Sequence, residues 1–283
     1  MMLLEVVKLG FFYGCFIGMV AVGFALIYNI LHIVDFAHTD RLIVSGYVFV
    51  TALTFTNHFF AILLAIAAGV VFAFLSEILI YRQVRKFNPK LLILTTFGLS
   101  IVIQNVLAII FSDSLKVYPF VEQTVSQSNL YVREIVIFPV LLAIVLLLYY
   151  WLKKTKTGLS IRASISNLER ASTLGVPINK IYIIVFVFSG IIAGLGGVYL
   201  SMGYGLTPYS GFKIMILAFS ACLIAGMNNV YGSVIVGIVI GILLSVFEMF
   251  FNALSAELFM LLGLIAILFI KPQGIFGKKL RII

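Results

Sequence analysis

Apolar residues run along this chain in blocks long enough to cross a bilayer, with polar residues confined to short stretches between them. Phe59 to Ile80, Leu91 to Phe111, Ile135 to Leu152 and Val234 to Phe251 carry almost no charge. Each approaches the ~20 residues that a helix needs to traverse a hydrocarbon core. The full set of expected segments is Leu9–Ile30, Leu42–Thr56, Phe59–Ile80, Leu91–Phe111, Ile135–Leu152, Ile181–Leu200, Lys213–Ala225, Tyr231–Phe251 and Leu258–Ile270. This is the pattern of an all-α, polytopic transmembrane protein with about eight or nine membrane segments. Leu42–Thr56 and Lys213–Ala225 are short and flanked by Gly, Pro and polar residues, as broken or re-entrant helices are. One falls in the first quarter of the chain and one in the last third, which hints at an internal repeat.

Composition agrees with the pattern. Of 283 residues, 63% are hydrophobic and 10% charged, and mean hydropathy is +1.21. A soluble domain has about 25% charged residues. The net charge of +9 could suggest nucleic acid, but the basic residues cluster in short loops. One holds Arg82, Arg85, Lys86 and Lys90, a second runs from Lys153 to Lys180, and a third contains Lys271, Lys278, Lys279 and Arg281. Lys and Arg in short loops mark the cytoplasmic side, so the charge reads as topology and no nucleic-acid partner is expected. The order of spans lets all three loops face the cytoplasm, with the N-terminus outside, the His32–Arg41 segment inside and the C-terminus cytoplasmic. Cys15 and Cys222 both lie in apolar runs and read as small buried hydrophobes. No cleavable signal peptide is expected at Met1 to Lys8. Chain 1–283 reads as a single transmembrane domain with a cytoplasmic loop at 153–180.

Glycines recur at four-residue spacing: Gly10, Gly14 and Gly18; Gly190 and Gly194; Gly237 and Gly241. Such faces let helices approach closely, either within the chain or against another subunit.

Three polar segments could carry chemistry. In the first, Asn29 to Arg41, the groups His32, Asp35 and His38 allow a metal reading, but no fourth ligand is evident and no metal is expected. Asp35, Thr39 and Asp40 could equally cap a helix start, or line a transport path beside Tyr28. In the second, apolar Ile161, Ile165, Leu168 and Leu174 fall at roughly helical spacing among Arg162, Glu169 and Arg170. One or two short amphipathic helices fit, ending at Gly175 with Pro177 beyond; they would rest on lipid or dock into a partner's groove. The third runs through Gly203, Tyr204, Gly205 and Pro208 to Asn228 and Asn229. Its helix breakers mark irregular backbone, and the two asparagines could bind substrate or simply make a tight turn.

At these segments the chain resembles the membrane permease of branched-chain amino acid ABC transporters. Asp35-Phe36-Ala37-His38-Thr39, following Tyr28-Asn29, is similar to that family's Asn-Phe-Ala-His-Gly pattern. Arg162-Ala163, Ala171 and Gly175-Val176 are similar to its cytoplasmic loop, and Ala193-Gly194-Leu195-Gly196-Gly197-Val198 and Lys271-Pro272-Gln273-Gly274-Ile275-Phe276-Gly277 follow in family order. The resemblance implies a multi-pass subunit of a bacterial or archaeal cytoplasmic membrane. It implies as partners a second permease subunit, homologous or identical, two ATPase subunits and an extracytoplasmic substrate-binding protein. The ATPases would be coupled through Arg162, Ala163, Glu169, Ala171 and Gly175. Tyr28, Asp35, His38, Tyr204, Asn228 and Asn229 would be candidates for the substrate path. The chain departs from the pattern at Asp35, at Thr39 and at Ser166-Asn167, where the family carries Asn, Gly and an acidic pair. A carboxylate at position 35, if it faces the path, would favour a substrate with positive charge.

No catalytic function is expected, since the chain lacks a nucleophile signature such as Gly-x-Ser-x-Gly. It also lacks a Gly-x4-Gly-Lys-Ser/Thr phosphate loop; Gly274-Ile-Phe-Gly277-Lys278-Lys279 fails, with Pro272 at its start and Lys where Ser or Thr belongs. ATP and Mg would therefore bind to the partner ATPases, leaving this chain without a cofactor. The runner-up reading is an ion-coupled secondary transporter or channel for a small polar solute. Its acids are few, with Glu77, Glu248 and Glu257 all near expected span ends.

Overall fold

A computed structural model describes residues 2–112, 132–227 and 229–276. Among them run twelve α-helices: α1 (Met2–Leu31), α2 (Ala37–Ala52), α3 (His58–Leu75), α4 (Arg82–Phe87), α5 (Leu91–Phe111), α6 (Val132–Lys154), α7 (Lys156–Ser166), α8 (Leu168–Thr173), α9 (Ile178–Ser201), α10 (Ser210–Ala225), α11 (Val230–Phe250) and α12 (Ala253–Ile270). A π-helical segment, Ser76–Tyr81, joins α3 to α4 without interruption. Six helical segments are long and apolar enough to cross a membrane: Leu3–Leu31, His58–Phe87, Leu91–Phe111, Ile135–Lys154, Ile178–Ser201 and Val230–Phe250. Two shorter apolar helices, Ser210–Ala225 and Ser255–Ile270, and the 16-residue α2 fall at the remaining segments expected from the sequence. The chain is therefore a multi-pass membrane protein.

Both segments expected to be broken are short. α2 and α10 each have 16 residues, a rise of about 24 Å at 1.5 Å per residue, less than a hydrocarbon core of about 30 Å. Each follows a long helix and an irregular break. The succession of long helix, break, 16-residue helix and long helix occurs twice, as α1–α2–α3 and α9–α10–α11.

The residues group into two compact units that interleave along the chain. One contains Met1–Ala25, Val121–Leu142 and Ile214–Ile283, and the other Leu26–Phe120 and Ala143–Lys213. In the first unit, the glycine face of α1 packs on that of α11. A Cβ on Gly14 would lie 2.6 Å from the Ile238 carbonyl oxygen, and one on Gly237 2.6 Å from Gly18 Cα. The four-residue glycine spacing is thus used inside the chain, where lipid offers no hydrophobic drive and backbone approach supplies van der Waals contact instead. Residues beyond α12 return to α10: Ile275 and Phe276 donate backbone N–H bonds to the carbonyls of Ile224 and Ala225, at 2.7 and 3.0 Å. They satisfy acceptors that every helix C-terminus leaves open. Gly274, at φ +79°, makes this possible by lying against Gly226, where a Cβ would stand 2.5 Å from the Gly226 Cα.

In the second unit, α2, α3 and α9 pack on one another. Gly190 and Gly194 meet Gly69 and Ile66 of α3, and Gly197 meets Leu42 and Gly46 of α2. The small residues bring three backbones so close that α2 is buried over nearly its whole length. That burial includes its polar first turns.

Candidate functional site

Asp35 and Arg41 form a salt bridge with both side chains out of solvent contact. Their positions follow from the break after α1. His32 takes a left-handed φ of +54°, ending α1, and α2 starts at Ala37. The residue before the helix is Phe36, whose side chain caps nothing; Asp35 Oδ1 instead accepts the Ala37 N–H at 3.2 Å. The same oxygen accepts the Tyr81 hydroxyl at 2.9 Å from the π-helical segment. Thr96 of α5 donates to the Val34 carbonyl at 3.2 Å, satisfying one acceptor of the irregular backbone.

The next residues of α2 are committed in other directions. Asp40 accepts from Gln104 of α5 at 3.0 Å, and its carboxylate closes on Gly211, where a Cβ would lie 2.5 Å from Oδ1. His38 Nδ1 and the Ser189 hydroxyl of α9 are 2.9 Å apart. The Arg41 guanidinium faces the Phe186 ring, 5.4 Å from its centroid, and Phe186 meets Tyr81 edge-on at 5.4 Å. A second pair lies along the same continuous helix: Arg85 donates to both oxygens of Glu77, at 2.6 and 3.3 Å. Its guanidinium stacks on Tyr182 of α9 at 3.5 Å. The wider turn of the π-helix turns Ser76, Glu77 and Tyr81 inward together, a local geometry that recurs at functional positions.

This arrangement bears on two readings of the first polar segment. Asp35 does not offer an uncompensated negative charge that would select a cationic substrate, because Arg41 neutralises it. The His32, Asp35 and His38 side chains do not converge: the exposed His32 ring meets Tyr28 edge-on at 6.3 Å, while Asp35 and His38 are committed as described. Among the described residues no three His, Cys, Asp or Glu side chains are gathered to hold a metal. Of the remaining candidates, Tyr204 lies in the break before α10, 5.9 Å from the Tyr199 ring. Asn228 falls outside the described residues. Asn229 belongs to the other compact unit and is a helix cap, its side chain accepting the Gly232 N–H at 3.0 Å. Sequence reasoning missed Arg41, Tyr81, Gln104 and the Glu77–Arg85 pair. The available signal was a guanidinium, Arg41, in a short polar segment that also holds two acids, Asp35 and Asp40.

The loop expected to be amphipathic is helical, as α7 and α8. Thr155 caps α7 by accepting the Gly158 N–H at 3.0 Å, and Asn167 caps α8 by accepting the Arg170 N–H at 2.8 Å. α8 ends in a Schellman motif: Val176 N–H bonds to the Ala171 carbonyl at 3.1 Å and Gly175 N–H to that of Ser172 at 3.0 Å. Gly175 takes φ +82°, the left-handed conformation that this motif requires and glycine adopts without strain. Ile161 and Ala171 turn inward, whereas Leu159 and Leu174 are 60% and 82% exposed. Arg162, Glu169 and Gly175 are exposed as well. Pro177 then leads directly into α9.

Comparison with known proteins gives a consistent result. The family model described as branched-chain amino acid transport system / permease component matches residues 7–270. The high-affinity branched-chain amino acid transport system permease protein BraD of Pseudomonas aeruginosa is 25% identical over 284 residues, covering 94% of this chain and 92% of that protein. Its counterpart LivH of Escherichia coli is 26% identical over 285 residues with the same coverage. Among solved structures, PsaBC from Streptococcus pneumoniae in complex with Fab has a TM-score of 0.54 at 15% identity, covering 94% of this chain and 92% of the other. That likeness is one of fold.

Proposed function

Because the chain belongs to the family of permease components of branched-chain amino acid transport systems, we propose that it supplies half of the membrane pathway of an ABC importer. A second permease subunit, homologous or identical, supplies the other half. The cargo is a branched-chain or related amino acid, delivered by an extracytoplasmic binding protein. Two ATPase subunits bind ATP and Mg and dock on α7 and α8 from the cytoplasm, the side on which the C-terminus also lies.

The observation that carries this reading is the match along nearly the whole chain, joined to the exposed surface of α7–α8. Leu159 and Leu174 offer apolar area to a groove, and Arg162 and Glu169 flank them with charge, the composition of a helix that docks on a protein partner.

The test is co-purification of the chain with candidate ATPases, followed by ATP hydrolysis in liposomes with the binding protein and a panel of amino acids. Leucine, isoleucine or valine should stimulate hydrolysis and accumulate. Leu174→Asp should reduce ATPase capture. Gly175→Val should keep the chain in the membrane but lower uptake, since a β-branched residue at φ +82° costs about 1–3 kcal/mol and unwinds the Schellman turn. Failure to capture any ATPase, with uptake that collapses under a protonophore while ATP is maintained, would replace this reading by an ion-coupled one.

A further inference from the structure

Tyr182, Phe186 and Ser189 stand at i, i+4 and i+7 on α9 and therefore share one face. Each meets a polar group from elsewhere in the second unit, Tyr182 one from α4, and Phe186 and Ser189 groups from α2. The Arg85 guanidinium lies 3.5 Å from the Tyr182 centroid, the Arg41 guanidinium 5.4 Å from that of Phe186, and His38 Nδ1 2.9 Å from the Ser189 hydroxyl. Both guanidiniums are held on another side by acids, Arg85 by Glu77 and Arg41 by Asp35. Each arginine thus bridges an α9 ring to an acid, in one case along the α3–α4 helix and in the other at the break that starts α2.

The N-terminal end of α9 is tied to α8 by a short connection. Only Leu174, Gly175, Val176 and Pro177 separate them, and the Schellman bonds and the fixed φ of Pro177 leave that connection little slack. α7 and α8 both pack on α9. A displacement of α8 is therefore handed to α9. The ring–guanidinium contacts are directional, because attraction depends on the cation lying over the ring face. An aliphatic residue would fill the same space without that dependence.

We propose that the Tyr182–Phe186–Ser189 face of α9 is the surface through which α7–α8 governs the start of α2, with Arg85 and Arg41 as its two latches. Movement of α9 changes how well each ring faces its guanidinium, and each arginine then redistributes between ring and acid. The start of α2, held by Asp35, Arg41 and His38, follows. Tyr182 and Phe186 are positioning residues that act through the arginines. This inference rests on the reading that α7–α8 docks an ATPase.

The experiment uses the complete transporter in liposomes: this chain, the second permease subunit, the ATPases and the binding protein. The readout is amino acid moved per ATP hydrolysed. Losing a desolvated ring–guanidinium contact shifts a two-state balance by on the order of tenfold to thirtyfold. Tyr182→Leu and Phe186→Leu should each lower the transport ratio by about fivefold or more while the complex still assembles and hydrolyses ATP. Tyr182→Phe, which keeps the ring face and loses only the hydroxyl, should stay within about twofold of the parent. An unchanged ratio in Tyr182→Leu overturns the proposal. Should that variant fail to assemble on size exclusion, Phe186→Leu decides by the same criterion. A Leu174→Asp complex that retains its ATPases fully would instead overturn the docking reading, a distinguishable result.

Discussion

Removing one partner of the Asp35–Arg41 pair should cost far more than removing both. Arg41 is wholly buried and Asp35 is 1% exposed. In Asp35→Asn the guanidinium keeps Phe186 but loses its ion partner; its Nε and Nη1 already lack hydrogen-bond partners among the described residues. Breaking a buried pair on one side typically costs about 3–5 kcal/mol, roughly two to three and a half orders of magnitude in an unfolding equilibrium. Arg41→Met leaves Asp35 with the Tyr81 hydroxyl and the Ala37 N–H, so its cost belongs at the lower end of that range. The double variant Asp35→Asn/Arg41→Met removes both charges with side chains close in size to the originals and should recover much of the loss, since neither member of the pair is then left as an uncompensated charge. The assay is unfolding of the purified chain in mixed micelles, titrated with sodium dodecyl sulfate, on the parent, the single variants and the double. An interaction energy of at least about 2 kcal/mol is expected from the cycle. Single variants that each cost less than about 1 kcal/mol, or a double variant that costs their sum, would refute the coupling drawn from the geometry.

Two further outcomes test separate features. Gly14→Val forces a branched side chain against the Ile238 backbone; overpacking of this kind costs about 1–3 kcal/mol, and the same micelle assay should show it, with Gly98→Val, which meets nothing within 4 Å, as the control. Asn229→Ala should cost about 1 kcal/mol as a lost helix cap and leave substrate preference unchanged in uptake competition; a changed preference would restore the path role first considered for it.

The periodicity of apolar residues located the membrane helices because length and hydropathy act locally, and a bilayer enforces both. It misplaced edges where polar side chains satisfied one another. α2 begins at Ala37 rather than Leu42, since His38, Asp40 and Arg41 find partners on α9, α5 and the preceding break. α12 begins at Ala253 rather than Leu258, because Asn252 accepts the Ser255 N–H at 2.9 Å and starts the helix early. The α8 ending was legible from Gly175 and Pro177, which act through their own backbone preferences. The buried network was only half legible. Asp35 and His38 stood out as polar residues in an apolar context, but Tyr81 is 46 positions from Asp35 and Ser189 is 151 from His38. Pairings at such separation leave no periodic trace, and the π-helical segment that aims Glu77 and Tyr81 inward has none either.

The seam between α1 and α11 has a consequence for biogenesis. Gly14 and Gly237 lie about 220 residues apart, which a ribosome working at roughly 5–20 residues per second takes about 11–45 s to synthesise. Throughout that interval α1 stands in the bilayer with its notched side uncovered, open to any neighbouring helix with small residues of its own. Early insertion and late closure make α1 a station that must be kept vacant until α11 arrives.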